Sequence, residues 1–155
     1  MSRAKVLVFA PADEAGETHR KLEAHGCELI LGKGSWDTPQ GDGEGEMARV
    51  AGACDALVGT SIRNAPVSGR VLESSDRLRI VAKYPLRNLG DRVLLSPHMV
   101  SNNVGSGLGP GIRWATESVL AALRGEVPDN VYNREVIPRW ERRFGGHSVW
   151  DTQAR

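Results

Sequence analysis

Long apolar runs, an excess of charge and closely spaced cysteines are all missing from this sequence. No stretch approaches the roughly 20 apolar residues that span a bilayer, and the amino terminus enters a strand without the apolar core of a signal peptide. We therefore predict a cytoplasmic protein with no membrane partner. The formal net charge of +1 gives no electrostatic bias towards nucleic acid. Cys27 and Cys54 lie outside any C-x-x-C spacing, which disfavours a metal site or redox pair and predicts two buried reduced thiols.

The composition is that of an ordinary globular domain. Hydrophobic residues make up 40% and charged residues 25% of the 155 residues. A chain of this length buries roughly 70% of the surface that its unfolded form exposes, which suffices for one domain with a core.

Short apolar segments alternate with helical patterns along most of the chain. The strands are predicted at residues 6–10, 27–31, 56–59, 79–82 and 93–96. Helices are predicted from a cap at Asp13 to about His25, and at residues 44–53, 66–74 and 112–123. Helical crossovers imply parallel neighbours. The predicted fold is a single α/β domain with a flavodoxin-like, doubly wound, five-stranded parallel sheet in three α/β/α layers.

The last strong helix and the tail complete the domain. Residues 112, 115, 119, 122 and 123 line one apolar face of the helix, which Gly125 and Pro128 end. Trp140, Phe144 and Trp150 are predicted to anchor the carboxyl terminus, and the arginines between them to form a solvated face, at positions 139, 142 and 143.

His98 is the first candidate for a catalytic residue. It follows Ser96-Pro97 at the carboxyl end of the fifth strand, and ligands of open parallel sheets bind outside those ends. An imidazole near its unperturbed pKa exchanges protons at neutral pH, which suits the interconversion of hydroxyl and carbonyl groups. A histidine at a strand end is, by itself, more often structural than catalytic.

The second candidate is the loop after the third strand. Its backbone amides and hydroxyls, in the run Gly59, Thr60, Ser61, Ile62 and Arg63, suit a carboxylate, although such a turn often only reverses the chain.

Two further patterns favour structural interpretations. The alternating glycines at positions 105, 107, 109 and 111 lack the spacing, the preceding strand and the distant acid of a dinucleotide-binding turn, so we predict helix packing or an entry loop. The acids of residues 42–46 do not match a calcium loop, and the helix dipole favours them in a first turn. A phosphoacceptor receiver would need an aspartate where Gly59-Thr60 stands, and a flavodoxin would need hydroxyls at residues 11–14.

Several of these segments resemble one enzyme family. The runs 77–84 and 85–98, together with Leu94-Leu-Ser-Pro-His-Met-Val-Ser-Asn-Asn103, resemble the NAD-dependent D-isomer-specific 2-hydroxyacid dehydrogenases. In that family a nucleotide-binding domain is inserted between the two runs, and here Tyr84 is followed directly by Pro85. The resemblance implies a discontinuous substrate-binding domain made contiguous over residues 1–146, with a tail at 147–155.

The resemblance also assigns roles to the candidate residues. His98 would move the hydroxyl proton, and the loop 59–63 with Lys83 and Tyr84 would face the substrate carboxylate, with Arg63 at the rim. NAD, a glutamate and an arginine of the family's site belong to the missing domain, so no cofactor is expected on this chain. Alone it is predicted to be redox-inactive, to bind a small 2-hydroxy or 2-keto acid at most weakly, and to be monomeric or weakly self-associating.

Two alternatives remain open at this point. Instead of an isolated, inactive domain, the chain would be a stand-alone module that binds a small carboxylate or regulates through it, or a half-enzyme that a separately encoded nucleotide domain completes in trans.

Overall fold

The structure, a computed structural model, describes residues 3–10, 16–33, 41–59, 67–82, 94–95 and 109–151, without the side chains of residues 10, 94–95 and 109–112. Its strands are β1 (Ala4–Ala10), β2 (Cys27–Leu31), β3 (Ala56–Gly59), β4 (Ile80–Ala82) and β5 (Leu94–Leu95). Its helices are α1 (Glu17–Ala24), α2 (Gly43–Ala51), α3 (Gly69–Glu73), α4 (Gly109–Leu123) and α5 (Ile137–Phe144), and a 3₁₀ turn at Arg134–Val136 precedes α5. None of the described helices combines the length and hydropathy that crossing a bilayer requires.

The strands form one parallel sheet in the order β2-β1-β3-β4-β5. Val6 of β1 lies opposite Leu29 of β2 and Ala56 of β3, and Val81 of β4 lies opposite Leu95 of β5. The predicted α/β class with parallel strands is therefore confirmed. Four strands have three or more residues, whereas β5 is described over two residues rather than the four that we predicted.

Helices cover both faces of the sheet because alternate strand residues point to opposite sides. Val6 and Val8 of β1 pack in a cluster with side chains of α1, α4 and α5, which include Leu22, Val119 and Trp140. Leu7 and Phe9 pack on the other face with side chains of α2 and α3, at positions 47, 48, 51, 71 and 72. The core is thus two apolar layers that share the backbone of one sheet.

The helix starts differ from the prediction. α1 begins at Glu17 and not after Asp13, which lies outside the described residues. Gly16 takes a left-handed φ of 66°, and its carbonyl accepts the first helical hydrogen bond, from the Arg20 N–H. α3 begins at Gly69 and not at Pro66, because Ser68 is extended, with ψ at 179°. The apolar spacing therefore predicted that both helices exist but not the residues at which they begin.

α4 starts earlier than predicted. It begins at Gly109 and not at Ile112, so that Gly109 and Gly111 belong to its first turn. Pro110 is compatible with this turn because the first N–H groups of a helix have no intrahelical acceptor. Gly105 and Gly107 lie outside the described residues.

A glycine turn joins α4 to the carboxyl-terminal segment. Gly125 has a φ of 79°, and its N–H donates to the Ala122 carbonyl while that of Glu126 donates to Ala121, the two bonds of a Schellman motif. A Cβ at position 125 would lie 2.6 Å from the backbone nitrogen of His147, so glycine alone fits this contact. The Gly146 N–H also donates to the Gly125 carbonyl, 2.9 Å away.

The predicted anchoring of the carboxyl terminus is confirmed. Trp140 and Phe144 are buried in the α1–α4–α5 layer, and Trp150 packs against the same layer while half-buried. The Val149 N–H donates to the Leu123 carbonyl at 2.9 Å, which ties residues beyond α5 to the end of α4.

Candidate functional site

The candidate residues come after the carboxyl ends of three neighbouring strands, β3, β4 and β5. Val58 of β3 lies opposite Ala82 of β4, and Val81 of β4 lies opposite Leu95 of β5. Since neighbouring strands are about 4.8 Å apart, these ends lie side by side on one edge of the sheet. This edge is where open α/β sheets bind ligands.

Most of the candidate side chains themselves lie outside the described residues. Gly59 is the last residue of β3, and Thr60, Ser61, Ile62 and Arg63 follow it in the sequence. Lys83 and Tyr84 follow the last residue of β4, and His98 comes three residues after the last residue of β5. The structure therefore brings together the strand ends that precede the candidates.

The segments on either side of the Tyr84-Pro85 junction are neighbours in the sheet. β4 ends before the junction, β5 begins after it, and the two pair in parallel through Ile80 with Leu94. The 11 residues at 83–93, between Ala82 and Leu94, connect them. The other crossovers, residues 11–26, 32–55 and 60–79, are longer and contain α1, α2 and α3.

The opposite, amino-terminal edge of the sheet carries a buried carboxylate. The Asp55 side chain is 6% exposed and accepts hydrogen bonds from the Lys5 N–H at 2.8 Å and from Arg77 Nε and Nη2 at 3.1 and 3.0 Å. The Arg79 N–H donates to the Asp55 carbonyl at 2.9 Å. These bonds join the starts of β1, β3 and β4, so Asp55 has a structural role away from the candidate edge.

Arg79 extends this structural network to the carboxyl-terminal segment. Its carbonyl accepts the Trp140 Nε1–H at 2.9 Å, and its guanidinium lies 5.0 Å from the Phe144 ring centroid and donates to the His147 carbonyl. Burial lowers the pKa of Arg79, which Asp55 opposes. The structural roles of Asp55 and Arg79 were not predicted; the available signal was a charged residue directly before each of two apolar strands.

Both cysteines are buried reduced thiols, as predicted. Burial raises the pKa of Cys27 and of Cys54 to about 11, and the Asp55 carboxylate adds to the increase. The Cys54 thiol donates to the Val50 carbonyl at 3.3 Å. Neither sulfur is therefore suited to nucleophilic chemistry at neutral pH.

The thiols should resist modification in the folded protein. With a pKa of about 11, on the order of 0.1% of each is thiolate at pH 8, so we expect an aromatic disulfide reagent to react at least ~100-fold more slowly than in 8 M urea. Equal reaction rates in the native and the unfolded protein would contradict the burial of the thiols.

Because burial raises the pKa of both thiols in the folded state, the neutral thiols contribute fully to the free energy of unfolding below about pH 9. This contribution is lost as the pH rises towards 11. Urea midpoints at pH 8 and pH 10.5 measure the loss.

The acidic residues at the start of α2, Asp42, Glu44 and Glu46, are engaged in local contacts. Asp42 accepts the Gly45 N–H at 2.8 Å and caps α2, Glu44 accepts from the Ser68 hydroxyl, and Glu46 pairs with Lys33. This is the helix-terminus role that the sequence predicted. Within the described ranges, no three acidic, histidine or cysteine side chains converge as a metal site would require.

An open groove of about 480 Å³ lies along α4 from Trp114 to just beyond the carboxyl end of the helix. Trp114, Glu117 and Arg124 line its helix side, and the segment 126–130 lines the other. Glu117 pairs with Lys21, and Arg124 with Glu126 at 2.9 Å, so much of its charge is neutralised. Gly59, the one candidate residue within the described ranges, is not part of its lining.

Comparison with known proteins adds no family to these observations. No protein-family model matches the chain, and no curated protein is detectably similar to it.

Proposed function

We infer that the chain is the substrate-binding, or catalytic, domain of an NAD-dependent D-2-hydroxyacid dehydrogenase whose nucleotide domain has been removed between Tyr84 and Pro85. The flavodoxin-like, doubly wound form of the sheet is part of this proposal. The observation that carries it is the parallel pairing of β4 with β5. A domain inserted between these strands would leave and re-enter the sheet at neighbouring points, and its removal would leave the core intact.

The length of the β4–β5 connection supports the same conclusion. A helical crossover between parallel strands normally takes a dozen or more residues, and the connection has 11. The other three crossovers are longer. A connection that once held a whole domain and was then joined at its boundary would account for this shorter length.

The proposed site lies at the carboxyl ends of β3, β4 and β5. The backbone of residues 59–63, with Lys83 and Tyr84, binds the substrate carboxylate, and Arg63 adds positive charge. His98 is three residues from Leu95, so its Cα is within about 11 Å of that strand end. It exchanges a proton with the 2-hydroxyl group.

Hydride transfer requires a nicotinamide, because amino-acid side chains do not carry hydride. The family's nicotinamide contacts, and the carboxylate that orients the histidine, belong to the domain that is missing here. The chain therefore holds a proton-transfer residue and carboxylate contacts without the redox partner.

We expect no saturable NADH binding to the chain in a fluorescence titration up to about 1 mM, and no oxidation of NADH by pyruvate in its presence. A dissociation constant in the micromolar range would contradict the proposal, since the dinucleotide fingerprint is absent from the sequence.

Calorimetry with D-lactate and pyruvate separates the proposal from a stand-alone carboxylate module. Binding weaker than about 1 mM supports the isolated half-site. Tighter binding that His98→Ala abolishes and the matched variant His147→Ala retains would favour the module. Activity on mixing with a separately produced nucleotide domain would identify a half-enzyme that works in trans.

A further inference from the structure

The groove along α4 is bounded by one face of the helix. Its helix-side lining residues recur every three or four positions, which places their side chains along one stripe: Trp114, Glu117, Ser118, Ala121 and Arg124. The segment 126–130, which follows the glycine turn, forms the opposite wall. The volume of about 480 Å³ lies within the roughly 300–1,000 Å³ of ligand sites, although the groove is open to solvent. An open groove of this size suits a chain-like ligand that stays partly in solvent.

Trp114 provides an aromatic surface at the end of the groove nearest the start of α4. Its side chain is 51% exposed, whereas that of Trp140 is 1% exposed in the core. The indole combines a large flat apolar face with one N–H donor at its edge. Because Trp114 lines the groove, this face is available to a ligand that has a flat apolar side of its own.

The floor of the groove carries a hydroxyl group without a protein partner. Ser118 is 7% exposed, and within the described part of the chain no group forms a hydrogen bond with its side chain. Its oxygen still contacts the groove, because Trp150 Nε1 is the one side-chain nitrogen or oxygen of the described residues that is both fully buried and unpaired. Nearly buried polar groups are normally satisfied by protein, water or ligand. The Ser118 hydroxyl therefore indicates where a hydrogen-bonding ligand group would be held.

The charged side chains of the groove leave little net charge for a ligand. Glu117 pairs with Lys21, and Arg124 Nε lies 2.9 Å from Glu126 Oε2. The exposed aspartate and asparagine at 129–130 complete the opposite wall. The rim thus offers carboxylate and amide acceptors beside guanidinium and amide donors, in positions that the ion pairs hold. Such a mixture favours a ligand whose groups both donate and accept hydrogen bonds.

We propose that this groove binds a neutral oligosaccharide, with one sugar ring stacked on Trp114 and a hydroxyl group of that ring bonded to Ser118. Each sugar hydroxyl donates one hydrogen bond and accepts others, as the mixed rim requires. The C–H groups on one face of a pyranose form a flat apolar surface that matches the indole. A cationic ligand would find two of the three carboxylates of the groove already paired, and an anionic ligand would be repelled by them.

The site is independent of the proposed enzymatic function. It uses α4 and the segment 126–130, whereas the candidate residues follow the carboxyl ends of β3, β4 and β5. A failure of oligosaccharide binding would leave that proposal untouched, and the reverse also holds.

NMR titration of the labelled chain with maltotriose, cellotriose and triacetylchitotriose tests the proposal. We expect at least one of these neutral trisaccharides to bind with a dissociation constant of about 0.1–1 mM, as is usual for an open site with few contacts. The signals that shift should include the indole N–H of Trp114 and the side-chain amide of Asn130, which line the groove. The indole signal of the buried Trp140 should not move.

Variants of the groove identify the contacts. Trp114→Ala should weaken binding at least ~10-fold because it removes the stacking surface. Ser118→Ala should weaken it about 5-fold through the loss of one hydrogen bond. The matched control Tyr132→Ala removes an aromatic ring that is 73% exposed and outside the groove lining, and should leave the affinity unchanged. Circular dichroism of each variant checks its folding, and Asn130→Ala, at an exposed position, provides a third variant of the groove.

Asp129→Asn distinguishes a sugar site from a cation site. The amide keeps its hydrogen-bonding capacity, so the affinity for the trisaccharide should change less than about 3-fold. Saturable binding of spermidine without binding of any trisaccharide would overturn the proposal in favour of a cation site. No binding of the three trisaccharides up to about 10 mM would also overturn it. So would an affinity that Trp114→Ala and Tyr132→Ala change equally.

Discussion

Replacement of Trp140 by alanine is expected to lower the free energy of unfolding by about 4 kcal/mol. The indole is 1% exposed, packs in the layer shared by α1, α4 and α5, and lies 5.7 Å from the Phe144 ring between centroids. Its Nε1–H bond to the Arg79 carbonyl is lost at the same time. Urea denaturation followed by circular dichroism measures the change.

Two control variants separate the cavity from the hydrogen bond. Trp140→Phe retains most of the ring volume and should cost about 1–2 kcal/mol, mainly from the unpaired carbonyl. Trp114→Ala makes the same large change at a side chain that is 51% exposed, and should cost less than about 1 kcal/mol. Equal losses for Trp140→Ala and Trp114→Ala would show that Trp140 is not the anchor of the carboxyl-terminal segment.

Replacement of Asp55 by alanine is expected to lower the free energy of unfolding by about 3 kcal/mol. The substitution leaves the Lys5 N–H without its acceptor and removes the carboxylate that Arg77 binds through two nitrogens. The Arg77 side chain is 52% exposed, so the Coulomb part of the loss is screened by solvent.

Asp55→Asn and Asp76→Ala test whether the loss of stability comes from the hydrogen bonds of the Asp55 carboxylate. The asparagine keeps an oxygen for the Lys5 N–H and should recover roughly half of the loss. Asp76 is 87% exposed and 3.8 Å from Arg143, so its replacement should cost less than about 0.5 kcal/mol. If Asp76→Ala lowers the free energy of unfolding as much as Asp55→Ala does, the structural role of the buried Asp55 carboxylate is contradicted.

The Asp55 and Trp140 variants also provide a stability reference for the ligand-binding experiments with His98→Ala. Asp55 and Trp140 both contact the residues that precede β4, at the amino-terminal edge of the sheet. His98 follows β5 in the sequence, so a change of ligand binding in His98→Ala is informative about the proposed site only if the urea midpoint of the variant stays near that of the parent.

Strand location was predicted well because it depends on local pattern. β2 and β3 have the bounds that the apolar runs predicted. β1 begins at Ala4 rather than at residue 6, and β4 begins at Ile80 rather than at residue 79. Helix starts were predicted less well, since the conformation of Gly16 and of Ser68 is a property of single backbone angles that apolar spacing does not report. The roles of His98, Lys83, Tyr84 and the loop 60–63 stay predictions.

The amino-acid sequence by itself determined the α/β class of the fold, because short apolar runs and helical spacing encode strands and helices over a few residues at a time. The wide spacing of the two cysteines also predicted that they are buried reduced thiols. Only the tertiary structure decided which strands are neighbours: that β4 pairs with β5 across the Tyr84-Pro85 junction, that β2 is left at the edge, and that Asp55 meets Lys5 and Arg77. Those contacts join residues far apart in the chain, and their free energy depends on a spatial order that local periodicity does not contain.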